Sequence, residues 1–357
     1  MPGWSSNRPS DYFAVGVQSA KGTEAGTFFF PKHLTGSGFE NKPETAQERE
    51  GGGGQEVGLV YKKVIKGDGN AVLNLRGVGA VYAIIDGVLG KTATTSGPVA
   101  STAGIGGDVP TGMQKARIVP AATLPYLTFE QRYSDEIERV SDSKVNQAVI
   151  EGGAGLPLKI SAAISGAGTL YQRDIASALT PAYDTGDPIY FPQGSYVLNA
   201  ATSAGATVGN TTGAKMTKFK VTAARHLDEG VQTTGLFRDD LIELTSDYNF
   251  DCTLKYEDRS LYQAVQFNGG SVVPIPVASI SFTGYTTNGQ PSGATQFRSI
   301  TINMQNLLAQ DAKVNKLEPD GKTVYIDLTC STVKPAGATD SLIVDLIVPS
   351  NAYTNFG

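Results

Sequence analysis

Between Tyr248 and Glu257 the chain reads "YNFDCTLKYE", in which apolar Tyr248, Phe250, Cys252, Leu254 and Tyr256 alternate with polar Asn249, Asp251, Thr253, Lys255 and Glu257. Period two places the two sets on opposite faces of an extended segment, one toward a core and one toward water, which predicts a half-buried antiparallel strand. The same alternation runs through Val324, Ile326, Leu328 and Cys330, through Ile300, Ile302 and Met304, and through "SLIVDLIV" near the end. Strands are therefore expected to dominate after about residue 215. The 42 glycines among 357 residues favour many turns over long helices, and the length suits two domains better than one.

Two helices are expected. "VGAVYAIIDGVLG" sets Val81, Ile84, Ile85 and Val88 on one stripe and ends at Gly90 as a C-cap. "EDRSLYQAVQFNGG" offers Asp258 as N-cap, Leu261, Tyr262 and Val265 as the stripe, and Asn268 and Gly269 as the stop. The first 27 or so residues, Lys91 to Ala122, and Gly194 to Ala214 are polar or rich in Thr, Ala, Ser and Gly, and read as loops. Asn288-Gly289 is a hairpin signal.

A segment beginning at Phe39 and one beginning at Phe219, about 180 residues later, both run strand, turn-rich hairpin, strand, alternating strand, helix, glycine. Each is followed by a further strand ("LTFEQRY" or "RSITINM"), a Lys-Val-Asn triplet (Lys144 to Asn146, Lys313 to Asn315), a turn and another strand. Residue identity is low, so a chance recurrence of ordinary β patterns stands beside a duplication. On the duplicated alignment "EREGGGG" lies opposite a hairpin tip, and no helix start follows the glycines to direct N–H groups at a phosphate.

Several function classes lack support. A net charge of -5 without a basic run argues against gripping nucleic acid through its phosphates. Cys252 and Cys330 sit within apolar alternation and read as small buried hydrophobes; His33 and His226 have no Cys or His at metal-ligand spacing. "IDGVLGKT" and "KLEPDGKT" approach a P-loop but carry Ile85 and Lys316 where its first glycine belongs. Adjacent carboxylates, Asp239 with Asp240 and Asp135 with Glu136, point to opposite faces of a strand, and no serine occupies a G-x-S-x-G elbow. An N-T-T acceptor at Asn210 has no meaning without a secretory signal. Neither catalysis nor a cofactor or metal is expected. The start "MPGWSSNRPSDYF" lacks a signal-peptide pattern, no window approaches the ~20 apolar residues of a membrane span, and a cytosolic site of synthesis is expected.

"AVGVQSAKGT" (Ala14 to Thr23) resembles the opening of siphophage major tail tube proteins, "GDGNAVLNLRGVGAVYAIIDGVLG" resembles that family's strand-then-helix segment, and "AKMTKFKVTAARHLDEGVQTTGLFRDDLIEL" with "FDCTLKYEDRSLYQAV" resembles its later half. The likeness spans most of residues 10 to 357; the Thr/Ala/Gly-rich stretches Lys91 to Ala122 and Gly194 to Ala214 depart from it. It implies a mainly β chain of two tandem sandwich or barrel-like tube domains, each with a flanking helix. The expected divisions are an arm (1–28), a first domain (29–182), a linker (183–214) and a second domain (215–357).

It further implies rings whose sheets join edge to edge, stacked into a virion tail assembled in the host cytoplasm, with two copies per chain making a trimer of pseudo-sixfold symmetry. DNA would pass through the lumen without specific binding, and tape measure and tail terminator or tip proteins would be partners. Asp11, Tyr12 and Phe13 in the arm, and Glu48, Arg49, Glu50, Gly51, Gly52, Gly53 and Gly54 at the hairpin tip, are the expected contacts between rings. A β-sandwich adhesin or carbohydrate-binding module is the alternative, but the loops hold few aromatics and Trp4 is the only tryptophan.

Overall fold

The computed structural model describes residues 11–48, 59–76, 79–96, 113–133, 136–167, 171–173, 177–183, 186–191, 195–201, 207–208, 216–228, 238–255, 276–285, 298–314, 325–334 and 340–349. In chain order its elements are β1 (Tyr12–Val17), β2 (Gly38–Glu48), β3 (Leu59–Asn74), α1 (Gly79–Leu89), β4 (Gly90–Ser96), β5 (Met113–Pro120), β6 (Leu127–Tyr133), β7 (Glu136–Gly153), β8 (Lys159–Gly166) and β9 (Tyr171–Arg173). The second half continues with β10 (Ser195–Ala201), β11 (Thr207–Val208), β12 (Met216–Asp228), β13 (Ile242–Lys255), β14 (Pro276–Tyr285), β15 (Ser299–Val314), β16 (Tyr325–Thr332) and β17 (Leu342–Pro349). The fold is mainly β, as the alternation predicts: Tyr248, Phe250, Cys252 and Leu254 are buried on one face of β13, and Ile300, Ile302 and Met304 on β15.

The ladders are antiparallel. Eight strands form one row in the order β2-β3-β8-β7-β12-β13-β16-β15. The long strands β7 and β15 each leave this row partway and enter a branch. The first half of β7 pairs with β6, which pairs with β1, and with β9 on its other edge. The first half of β15 lies between β14 and β17, followed outward by β10 and β11 on one side and by β5 and β4 on the other. Each long strand turns at a residue with positive φ, Asp142 (φ 50) and Asn306 (φ 55), the only such non-glycine residues among those described. Asp and Asn tolerate this left-handed region better than other side chains. A bulge follows at the same distance in both, between Val145 and Gln147 and between Ala309 and Asp311 in their pairings with β8 and β16.

The connectivity thus occurs twice: β2, β3, β8 and β7 pair with one another as β12, β13, β16 and β15 do, and β1, β6 and β9 surround β7 as β10, β14 and β17 surround β15. The residue correspondence differs from the one read in the sequence. Pairing through β3 and β13 matches Phe39 with Val221, not Phe219. "RSITINM" matches the first half of β7, and the counterpart of β6 is β14. The two Lys-Val-Asn triplets do not correspond, since Lys144 follows its kink by two residues and Lys313 by seven.

Three expected loops hold strands. Tyr12, Phe13, Ala14 and Val15 are fully buried in β1, inside the expected arm; β4, which begins at Gly90, and β5 occupy parts of Lys91–Ala122, and β10 and β11 lie within Gly194–Ala214. Small Thr/Ala/Ser side chains carry little periodicity, so pairing with a neighbour decides their conformation. The expected linker 183–214 also places Ile189 and Phe191 in the core. The expected second helix, Tyr256 and the Asn288-Gly289 turn lie outside the described residues.

One large hydrophobic cluster runs through both halves and contains α1. Every residue of this helix is buried, Asp86 included, so it is apolar all round rather than along the single stripe expected. Gly90 caps it with φ 93, and a Cβ there would meet the Thr123 carbonyl oxygen at 2.6 Å. Asp86 accepts a hydrogen bond from the Thr92 hydroxyl, and burial raises its carboxyl pKa. A carboxyl with a raised folded-state pKa contributes stability that is lost as pH rises through that value. Asp86→Asn, which keeps an acceptor for Thr92, is expected to raise the melting temperature at pH 8 by about 2 °C, the effect of ~1 kcal/mol in a chain of this size. The two proteins should converge near pH 4; scanning calorimetry at both values checks it.

Candidate assembly interface

The two halves of the row meet where β7 pairs with β12, from Lys218 opposite Gly153 to Ala224 opposite Gln147. The polar face of this junction carries alternating charges across four strands, Lys159 opposite Glu151, Glu151 opposite Lys220 and Lys220 opposite Asp251. Directly opposed unlike charges favour a given register. On the core face Phe219 packs against Phe282 at 4.6 Å between ring centroids, Phe191 at 5.9 Å and Phe250 at 6.5 Å. Gly152 stands opposite Phe219, and a Cβ there would lie 2.4 Å from Leu158 and 2.8 Å from the Phe219 ring. A glycine here lets the ring lie against the strand.

Polar contacts pin the start of β13 onto the first half. The buried Lys144 ammonium donates to the Leu241 carbonyl (2.7 Å) and Glu243 (2.8 Å) and lies 4.4 Å over the Tyr126 ring. Glu243 also accepts from the Leu124 amide (2.8 Å), and the pull of Lys144 and this N–H outweighs burial to hold its pKa below the usual carboxylate value. Tyr126 donates to Asp240 (2.9 Å), which pairs with Lys21 (3.0 Å), and Arg238 pairs with Asp68 on β3 (2.7 Å). A second join runs from β5 to β17, where buried Asp345 takes a bidentate Arg117 (2.8 and 2.9 Å) and Lys115 (3.2 Å).

Among the described residues β2, at one end of the row, pairs only with β3. Along β7 the edge that meets β6 goes on to meet β12; along β15 the corresponding edge meets β14 as far as Leu308. Pro43 lies within β2, and a proline, having no N–H to donate, belongs on an edge strand. At Phe39 the side chain of Gln131, from β6, fills the first rung: the Phe39 N–H donates to Gln131 Oε1 (3.0 Å) and Gln131 Nε2 donates to the Phe39 carbonyl (2.7 Å).

Of the residues expected from sequence to make contacts between rings, Tyr12 and Phe13 are core residues of β1 and are not available for such a role. Tyr12 donates to the buried Glu130, and Asp11 contributes its carbonyl to the Tyr183 hydroxyl (3.0 Å). Glu48 ends β2, the strand that among the described residues pairs only with β3. Arg49, Glu50, Gly51, Gly52, Gly53 and Gly54 lie outside the described residues. Asp240 serves the pin described above, and His226 pairs with Asp247 (2.8 Å) in an exposed position. Cys252 and Cys330 are free and buried, as expected, and burial pushes the Cys330 thiol up to about 12. Among the described residues no cluster of His, Cys, Asp and Glu forms a metal site, and no helix is long and apolar enough to cross a membrane. Sequence reasoning missed the contact of Gln131 with the Phe39 backbone; Pro43 inside β2 was the one signal for an edge strand. No protein-family model matches the chain, and no characterised protein matches it in sequence.

Proposed function

We propose that the chain is the major tube subunit of a long, non-contractile phage tail, polymerising into stacked rings that enclose a DNA conduit. The observation that carries this reading is the row of eight strands, which joins its own halves edge to edge where β7 pairs with β12 and, among the described residues, ends in a β2 that pairs only with β3. Exposed edges invite pairing with another chain, and soluble proteins ordinarily suppress them. An edge pairing that is heterologous generates a ring where the rotation closes. Three copies would give twenty-four strands, roughly 50 Å between facing backbones at ordinary strand spacing and a ~40° tilt. Barrels of 16–18 strands already leave an aqueous channel. The face of the row away from α1, with its alternating Lys and Asp or Glu, would line that channel. A mixed-charge wall presents no continuous basic track to a passing phosphate backbone.

Light scattering and negative-stain electron microscopy of the purified chain test the reading. Rings or tubes are expected, with a ring mass three times the 37.4 kDa of the chain. A chain that stays monomeric at every concentration, with no rings on the grid, would refute it.

A further inference from the structure

We infer that rings stack through opposite ends of the chain: Ile242 and Leu244, at the start of β13, sit on Leu156 and the cleft beside it in a copy belonging to the adjoining ring. The inference rests on the tube reading and names the surface through which the tube grows along its axis.

Exposed large apolar side chains are ordinary when scattered and informative when they gather. Among the described residues most of them gather at two places. Ile242 and Leu244 (63% exposed) lie at the start of β13, and Val60 and Tyr61 at the start of β3. The two hairpins match. A bulge falls between Glu44 and Thr45 in one and between Arg225 and Leu227 in the other, and counting from Phe39 and Val221 sets Tyr61 against Ile242, each 46% exposed. An apolar side chain left in water at the same place in both halves marks a surface that each half uses. Leu156 (57% exposed) and Tyr190 form the second group, in and beside the turn between β7 and β8, where Tyr190 bridges to Pro157.

From Lys218, beside that turn, β12 runs to Asp228, opposite Ile242, a length of about 33 Å at the usual rise of a strand. Patches that far apart cannot cover each other within one chain. A contact between unlike patches at opposite ends repeats head to tail and builds an open filament. Leu156 also walls a cleft of about 510 Å³ whose floor includes Gly153 and Lys218. Gly153 stands opposite Lys218, and a Cβ there would meet its first neighbours only at 3.9 Å, so the missing side chain leaves room for a visiting one. Asp228 alternates along β12 with exposed Lys218 and Lys220, which places Ile242, opposite it, on the same face of the row as the cleft.

Charge selects the partner. The segments leading into and out of the second hairpin, Arg225–Asp228 and Arg238–Asp247, hold Asp228, Asp239, Asp240, Glu243 and Asp247 against Arg225, Arg238 and His226. At the cleft Lys218 is exposed, stands between uncharged Gly153 and Thr253, and has no ion pair among the described residues. An acidic end therefore meets an unopposed ammonium when a second copy is presented head to tail, whereas two copies meeting by their hairpin ends would oppose acid to acid.

Cross-linking and assembly measurements test the contact. In Leu156→Cys/Ile242→Cys the native thiols are buried with raised pKa values and will not compete. Mild oxidation of assembled protein is expected to give an interchain ladder on non-reducing gels, with neither single variant forming one. Ile242→Ser/Leu244→Ser is expected to keep the far-ultraviolet circular dichroism and the rings, and to raise the concentration at which rings join into tubes at least about tenfold. Lys218→Glu should act in the same direction, with an effect that shrinks as salt is added. Light scattering gives the ring mass and negative-stain microscopy the tube length, so the two steps are read separately. Tubes that grow at an unaltered concentration in the double serine variant, or that leave the cysteine pair uncross-linked, would overturn the contact and leave the tube reading standing. An unaltered chain that forms no rings would overturn both.

Discussion

Arg139→Met is expected to destabilise the chain by about 3–5 kcal/mol, the range for removing one partner of a buried ion pair. Glu130 is fully buried on β6, and Arg139 on β7 is nearly so. The guanidinium donates through Nε to Glu130 (2.6 Å), pairs with it again through Nη2, and reaches Glu24 through Nη1. The other Glu130 oxygen accepts from Tyr12, whose own oxygen takes the Leu179 amide at 3.0 Å. Burial and the neighbouring carboxylate raise the Tyr12 hydroxyl pKa, so it remains a donor across the accessible pH range. Methionine keeps much of the apolar stem but takes the guanidinium away from a carboxylate buried in the core. Urea unfolding should therefore show a lower midpoint at unchanged slope. Adding Glu130→Gln removes the stranded charge and is expected to recover more than half of the loss. If the single variant lost less than about 1 kcal/mol, the network would be surface-like in strength.

The parts of this fold that were legible in the sequence are those where one face of a strand is buried and the other is wet. Ile326, Leu328 and Cys330 on β16 announce themselves by alternation, as does the apolar content of α1. β1 did not, because "YFAVGV" is buried on both faces and sits between polar flanks, so its run reads neither as alternation nor as helix. β4 was hidden for the opposite reason: "GKTATTS" has almost no apolar signal, and its strand exists because β5 offers an edge. The duplication was legible in its opening strands, but neither as a full order of elements, since "RSITINM" corresponds to β7 and not to β6, nor as a register. Register depends on single residues, the turns at Asp142 and Asn306 and the bulges after them, and one residue of error moves every side chain to the wrong face. That is why a repeated Lys-Val-Asn misleads.

Phe219→Ala is expected to cost about 3–5 kcal/mol, as large aromatic truncations in a close-packed core do. Phe219 lies where the halves of the row meet, so its ring holds four segments at once: Gly152 of β7, Phe250 of β13, Phe282 of β14 and Phe191 from the chain before β10. The surroundings cannot collapse easily, because Phe219 and its neighbour Val221 are fixed by pairing on both edges, to β7 and to β13. The cavity term is therefore expected to persist. Gly152→Ala alone should also destabilise, since its Cβ meets Leu158 and the Phe219 ring inside contact distance. In the double variant the clash with the ring disappears while the clash with Leu158 stays, so the two losses should combine to less than their sum. A double-mutant cycle by thermal or urea unfolding measures this coupling, and additive losses would mean that the ring does not bear on Gly152. The position corresponding to Phe219 two residues before Phe39 is Ser37, which bonds β3 through the Val72 carbonyl (3.0 Å) and amide (2.8 Å).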